Sequence, residues 1–428
     1  MQTSFRYPLL AILLGQLATL VRGDEVTDWN QIMLDTFRAT GSSPIVAIRN
    51  AATVHAAVFD AHNGVEKRYS WIHVQPAAPA GASRRAAVVE AAYASLVHLY
   101  PTQAATLAAK RASSLTAINS SRATESSRSI ELGLGWGKAV ADAVVAWRNA
   151  DGFTPPPPPN IGGMNIGQWR PTPPAFAPFA ASQLGFTTTW VLPSPLYFPL
   201  PGPPALTSDA YTAAYNEVKR LGGVNSTDRT ADETLMSRFW ATASTPTYQW
   251  NRVAQVLAAQ RHTTLSENAR LFCLLNVAIA DSTIAIWRGK DMYMFWRPIT
   301  AIEFAGADGN PATETEANWT PLITTPPYPD YPSGLCGVAG GGLAVLAAFF
   351  GEDTSFVVET DAAALAGVVR SFSNFDAAGA ELVRARIVSG LHFRFADQDA
   401  LDLGLKIGEY VLENACLPLH GQKTGQLK

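Results

Sequence analysis

Residues 84–99 read RRAAVVEAAYASLVHL, residues 102–118 read TQAATLAAKRASSLTAI, and residues 130–149 read IELGLGWGKAVADAVVAWRN. All three are rich in alanine, the strongest helix former, and only Pro101 punctuates the first two. Upstream, Ile45, Ile48, Ala52, Ala56 and Phe59 recur every three or four residues, which is one face of a helix. His55 falls beside that face, as a core histidine or as a ligand. Downstream, the pattern predicts helices over about 207–221, 229–242, 248–260 and 265–288. Others are expected after Gly334 and over about 376–390 and 397–414. Clear alternating strand patterns are absent. Gly133, Gly135 and Gly137 follow no strand, so they are not a dinucleotide-binding loop. The fold class is therefore all-α.

One segment breaks the helical pattern. Fifteen of the 29 prolines fall between Asp151 and Leu206, including the run Pro155 to Pro159. No regular helix or central strand tolerates that density. Residues 151–206 read as a long irregular segment, partly polyproline II, wrapped on the surface. Its Trp169, Phe176, Phe179, Phe186, Trp190, Tyr197 and Phe198 are expected to pack against the body.

Composition excludes several classes. The 428 residues are 47% hydrophobic and 16% charged, against a usual charged share of about 25%, which argues against disorder. Lys and Arg number 32 against 35 Asp and Glu, so there is no basic excess for nucleic acid. Cys273, Cys336 and Cys416 are too few and too far apart for a disulfide framework or a Cys-x-x-Cys site.

The run Tyr7 to Val21 is uncharged, follows Arg6, and is too short to span a membrane. It reads as a secretory signal, although Val21-Arg22-Gly23 is not a clean small-x-small cut; an anchor or a buried helix is the alternative. The apolar stretches near 271–287 and 338–350 read as buried helices, leaving no stable span after signal removal. Asn119-Ser120-Ser121, Asn225-Ser226-Thr227 and Asn318-Trp319-Thr320 have the form of glycosylation acceptors. The expected organisation is a signal peptide (1–23), an N-terminal helical part (24–150), the Pro-rich segment (151–206) and a C-terminal helical part (207–428).

Three clusters in the C-terminal part carry oxyanion chemistry. Lys290 and Arg297 lie seven residues apart, so one continuous helix would put both cations near one face, about 10 Å apart. Pro298 biases Arg297 away from helix. Lys supplies a point charge and Arg a planar fork, although such a pair is also a common solvated face. Ser333-Gly334 opens an apolar helix, offering free N–H groups and a hydroxyl to an anion, or an ordinary N-cap. Arg386 and His392 would face different ways on one straight helix, but Gly390 can break it.

Lys-x6-Arg-Pro, then Pro-Ser-Gly, then Arg-x5-His resembles the signature of the vanadium-dependent haloperoxidase and type 2 phosphatidic acid phosphatase superfamily. Residues 51–69, Asp151-Gly152-Phe153, Trp169-Arg170-Pro171 and Phe295 to Ile302 look like that family too, so the likeness covers most of the chain after the leader. The resemblance implies a helical bundle holding vanadate, with phosphate as a competitor. Lys290, Arg297 and Arg386 would neutralise the equatorial oxygens, and Ser333 and the Gly334 N–H would complete the cage. His392 would be the axial ligand to vanadium, or the nucleophile on phosphorus. Trp287 and Tyr328 would line the pocket or pack in the core.

One position departs from the family. The second block normally reads Pro-Ser-Gly-His, and here Leu335 and Cys336 follow Gly334. In the family that histidine is an acid/base, and leucine can neither carry nor donate a proton. Cys336, Tyr331 or Asp330 are the nearby substitutes. The expectation is a secreted haloperoxidase-like protein acting on a small molecule, with peroxide-dependent halide oxidation impaired by Leu335. The alternatives are a phosphoester or diphosphate hydrolase or redirected biosynthetic enzyme using His392, and a non-catalytic oxyanion binder.

Overall fold

The computed structural model describes residues 23–120, 125–241 and 246–419. The leader-like run Tyr7 to Val21 and residue Ser121 of the first acceptor triplet lie outside the described residues.

Helices dominate. The first five are α1 (Glu25–Thr40), α2 (Pro44–Glu66), α3 (Arg84–Leu99), α4 (Ala104–Ser120) and α5 (Ser127–Asn149). After the Pro-rich segment come α6 (Asp209–Gly222), α7 (Ala231–Ala241), α8 (Pro246–Arg261) and α9 (Leu265–Tyr293). The last are α10 (Pro298–Glu303), α11 (Gly334–Phe350), α12 (Phe375–Val388) and α13 (Arg394–Asn414). The all-α expectation holds, and the helices fall close to their predicted positions. Three elements are additional. Helix α1 is fixed by Asp24, which accepts from the Val26 and Thr27 N–H groups, and by Gly41 in the left-handed region. Helix α10 is a short turn behind Pro298. A hairpin, β1 (Phe356–Glu359) antiparallel to β2 (Val369–Phe372), pairs Phe356 with Phe372. Its strands are too short to print an alternating pattern.

The bundle has two groups joined at its centre. Helices α3 and α5 pack on each other and on α2; α11 packs on α13 and α9; α2 and α9 meet between the groups. Helix α9 starts on a capping box, Thr264 with Glu267, and runs almost wholly buried. By length and composition it could cross a membrane, but it is the core helix of this fold. His55 is a core residue: its ring is buried, stacks on Phe272 at 5.2 Å and bonds Asn30 at 2.9 Å.

Residues 151–206 hold only a short 3-10 turn, Ser182–Phe186. They are strapped down by a few buried groups. The Asp281 carboxylate of α9 accepts the N–H groups of Trp190, Val191 and Leu192 at 2.6, 2.9 and 3.0 Å. Arg148 pairs with Asp151, donates to the Thr188 carbonyl and stacks on Trp190. Trp169, Phe179 and Trp190 are buried as expected and Tyr197 and Phe198 pack on Tyr410 of α13, whereas Phe176 and Phe186 are largely exposed. Phe186 instead lies under the Arg288 guanidinium.

Candidate oxyanion site

The three sequence blocks meet because three helix ends meet. Helix α9 stops at Tyr293, where Met294 turns left-handed and returns its N–H to the Lys290 carbonyl. The chain does not continue as one helix to Arg297, contrary to the premise of the sequence reading. Arg297 is instead the extended residue before α10 (φ −82°, ψ 155°), held there by Pro298. Lys290 and Arg297 thus approach the site from different backbone directions.

Ser333 occupies the N-cap position of α11 but makes no capping bond. The ordinary N-cap reading therefore fails, and the hydroxyl faces the site with the amides of the first turn. The Ser333 N–H donates to the Ala396 carbonyl at 2.9 Å, tying the start of α11 to the start of α13.

Arg386 lies in the last turn of α12. The N–H of Gly390 donates to Ile387 and that of Leu391 to Arg386, a closed helix end with Gly390 at φ 76°. Glycine is required there, since a Cβ would lie 2.5 Å from the Gly222 carbonyl oxygen. The turn redirects the chain and returns His392 to the same place as Arg386.

All of the predicted site residues are buried and gathered. Lys290 Nζ donates to the carbonyls of Pro329 and Asp330 at 2.6 and 3.1 Å and lies over the Tyr328 ring. Arg297 Nε donates to the Tyr328 carbonyl at 2.7 Å, and its Nη1 donates to the Leu391 carbonyl at 2.8 Å. Arg297 Nη1 also reaches His392 Nε2 at 3.0 Å. Behind the ring, Nδ1 lies 2.9 Å from Asp330 Oδ1. Other polar atoms here have no well-formed partner: the donors Arg297 Nη2, Arg386 Nε and the Ser333 hydroxyl, which lies near Asp397, and the carboxyl oxygens Asp330 Oδ1 and Oδ2 and Asp397 Oδ2. Buried donors without acceptors are costly, and several converging on one spot describe a place built for an anion.

Electrostatics sharpen that description. Burial, then the charges of Arg297 and Arg386, pull Lys290 well below its ordinary value. Burial, then Arg297, Arg386 and Lys290, pull His392 well down, so its imidazole is neutral. Two carboxyls missing from the expected site residues answer these cations. Burial holds Asp330 well above the carboxylate range, against the pull of Arg297 and Lys290. Burial raises Asp397 to about 7, against Ser333 and Arg386. Asp330 was legible as a neighbour of Pro-Ser-Gly. Asp397 was not, and its only signal is its place in the first turn of α13.

The nearby substitutes for the lost histidine are accounted for. The Cys336 thiol donates to Asp397 Oδ1 at 3.4 Å, and burial and Asp397 keep it protonated. The Tyr331 hydroxyl donates to Asp399 at 2.7 Å and accepts from Gly202. Leu335 is half-buried and lines a cavity of about 180 Å³ together with Trp287, Tyr328, Gly334 and Arg386. The pocket-lining reading of Trp287 and Tyr328 therefore holds.

The donor set, three cations with amide and hydroxyl groups and one neutral imidazole, suits a tetrahedral oxyanion such as vanadate or phosphate. Residues 270–421 match the family model of the VCPO second helical-bundle domain. The vanadium chloroperoxidase of Curvularia inaequalis is 32% identical over 167 residues, 32% of this chain and 27% of that protein. The matched region thus spans about a quarter of that relative. The structure of a bacterial vanadium-dependent iodoperoxidase superposes with a TM-score of 0.79 at 24% identity, covering 93% of this chain and 98% of that one. An apo bacterial vanadium-dependent chloroperoxidase gives 0.69 at 16% identity, covering 86% and 93%. These superpositions show a common fold. The three blocks thus gather at one site, residues 270–421 match the VCPO second helical-bundle domain, and the chain as a whole has the fold of the vanadium-dependent haloperoxidase structures.

Proposed function

We propose that this is an exported, vanadium-haloperoxidase-like protein that holds vanadate, with phosphate as a competitor, against His392. The observation that carries the reading is the convergence of orphaned donors, Arg297 Nη2, Arg386 Nε and Ser333 Oγ, beside a neutral histidine. Lys290, Arg297 and Arg386 neutralise the oxyanion, and Ser333 and the Gly334 N–H hold its remaining oxygens. Asp330 orients His392 through Nδ1 and leaves Nε2 as the electron-pair donor. Vanadate bound there supplies activation of hydrogen peroxide toward halide. Leu335 provides no proton at the position where the family has histidine, and such help is worth about 10²–10⁴ in rate. Turnover of halide is therefore slow.

The same orientation of His392 by Asp330 suits a nucleophile on phosphorus, the second reading. The test is halide oxidation by the purified protein loaded with vanadate and given hydrogen peroxide, beside a Leu335→His variant. Low activity raised in the variant supports the haloperoxidase reading. A phosphohistidine trapped with a phosphoester, with no halide oxidation in either protein, would replace it by the hydrolase. Neither result, with phosphate still bound, would leave a non-catalytic oxyanion binder. N-terminal sequencing of the protein from culture medium tests export.

A further inference from the structure

The cavity beside the cage has an unexpected lining for a site that handles only ions. Its volume is about 180 Å³, and its walls include Ile48, Trp240, Trp287, Leu335, Val338 and Leu391. Ile48, Trp240, Trp287, Val338 and Leu391 are each at most 5% exposed. No carboxylate is among its lining residues; Arg386 and Gly334, both members of the cage, border it. The Trp287 indole N–H is already bonded to the Ala180 carbonyl, so that ring offers the cavity no free donor. Thr283, Thr324 and Tyr328 also line it, but apolar side chains make most of its wall, and a small halide leaves most of that wall without contact.

Leu335 links cavity and cage. It follows Gly334 at the start of α11 and is part of the cavity's apolar wall. Size then selects the occupant. An apolar cavity of about 150 Å³ holds a benzene ring, so this one has room for a single ring with a short substituent.

We propose that this cavity is the binding pocket for a compact, uncharged aromatic molecule, seated on Leu335 and Trp287 in contact with the anion held by Arg386 and Gly334. The assignment rests on the oxyanion reading and adds the class of organic substrate that the site receives. Burial of the ring's apolar area drives binding, and ring–ring contact with Trp287 and Trp240 orients it.

The test measures two ligands separately on the full chain. Phenol and inorganic phosphate are each titrated by calorimetry, and phenol is titrated again with phosphate present. Ile323→Trp fills the rim from a half-buried cavity residue outside the cage, and Val338→Ala enlarges the wall. Phenol binding that weakens at least tenfold in Ile323→Trp, with phosphate affinity unchanged, supports the pocket. A shift of preference from phenol toward 1-naphthol in Val338→Ala supports it independently should the tryptophan variant not fold. Phosphate binding without phenol binding at millimolar concentration overturns the pocket and leaves the cage reading intact. Phenol binding without phosphate binding overturns the cage reading, and with it the joint site proposed here.

Discussion

Arg297 Nη1 stands 3.0 Å from Nε2 of His392. An arginine donates only, and although Nη1 also lies 3.4 Å from Nδ1, its shorter contact favours the lone pair on Nε2 and the ring proton on Nδ1, which lies 2.9 Å from Asp330 Oδ1. This tautomer is assigned from its partners. It is the form that a ligand to vanadium or a nucleophile on phosphorus requires. Burial and three nearby cations keep the ring from taking a second proton.

The first expectation follows from that pair. His392 should remain neutral from pH 8 down to pH 5, where an ordinary histidine becomes charged. Nitrogen NMR of the imidazole measures this directly. A titration midpoint near 6.5 would mean that the ring is solvated and the packed cage does not exist in solution.

Arg386 is the cation to remove first, because its Nε has no hydrogen-bond partner of its own. Charge-assisted hydrogen bonds are worth about 1.5–3 kcal/mol, so Arg386→Ala should weaken phosphate or vanadate binding by about 10- to 100-fold. Arg386→Lys should recover part of the loss, since the charge returns without the fork. Unchanged affinity in the alanine variant would place the anion elsewhere.

The two buried carboxyls give the site a pH dependence of definite sign. Asp397 sits at about 7, so below that pH it is protonated and the cage gains net positive charge. Sulfate remains a dianion throughout, so its affinity should rise as pH falls from 8 to 6. Asp397→Asn should flatten that curve. Stability carries the same sign: the folded chain holds a proton that the unfolded chain releases near pH 4, so this group's contribution falls as pH rises from 4 through 7. Sulfate affinity indifferent to pH in the wild-type protein would remove Asp397 from the site.

Much of this was legible in residue order, and the reasons differ by element. Alanine content and periodicity placed α3, α4 and α5, because local propensity and tertiary packing agree there. Lys290, Arg297, Ser333, Gly334, Arg386 and His392 were legible because their spacing is a family signature. Their geometry was not. The break at Met294 and the turn at Gly390 depend on two positive-φ residues, of which only the glycine announces itself. Asp397 escaped notice because one acid in a helical first turn is commonplace, and only burial gives it a role. The exposed Phe176 and Phe186 show the limit of composition. Aromatic content argued for packing, but the strap is held by Asp281 and Arg148, so some of its rings are free to face solvent.

The helix contact that supports the site is set by glycine. Helices α11 and α13 approach so closely that a Cβ on Gly404 would lie 2.1 Å from the Gly337 carbonyl oxygen. The atom in the way is backbone, so the helices must separate. Gly404→Ala should therefore destabilise the protein by about 1–3 kcal/mol despite its better helix propensity. Because the starts of these helices carry Ser333, Gly334 and Asp397, the same variant should bind phosphate more weakly at temperatures where it remains folded. Gly135 in α5 is the control, since no heavy atom lies within 4 Å of its added Cβ. There Gly135→Ala should stabilise the chain by up to about 1 kcal/mol and leave phosphate affinity alone. Thermal melts and phosphate titrations of the two variants separate these effects. Equal melting temperatures for both would mean that α11 and α13 are not in the close contact that holds the oxyanion site in place.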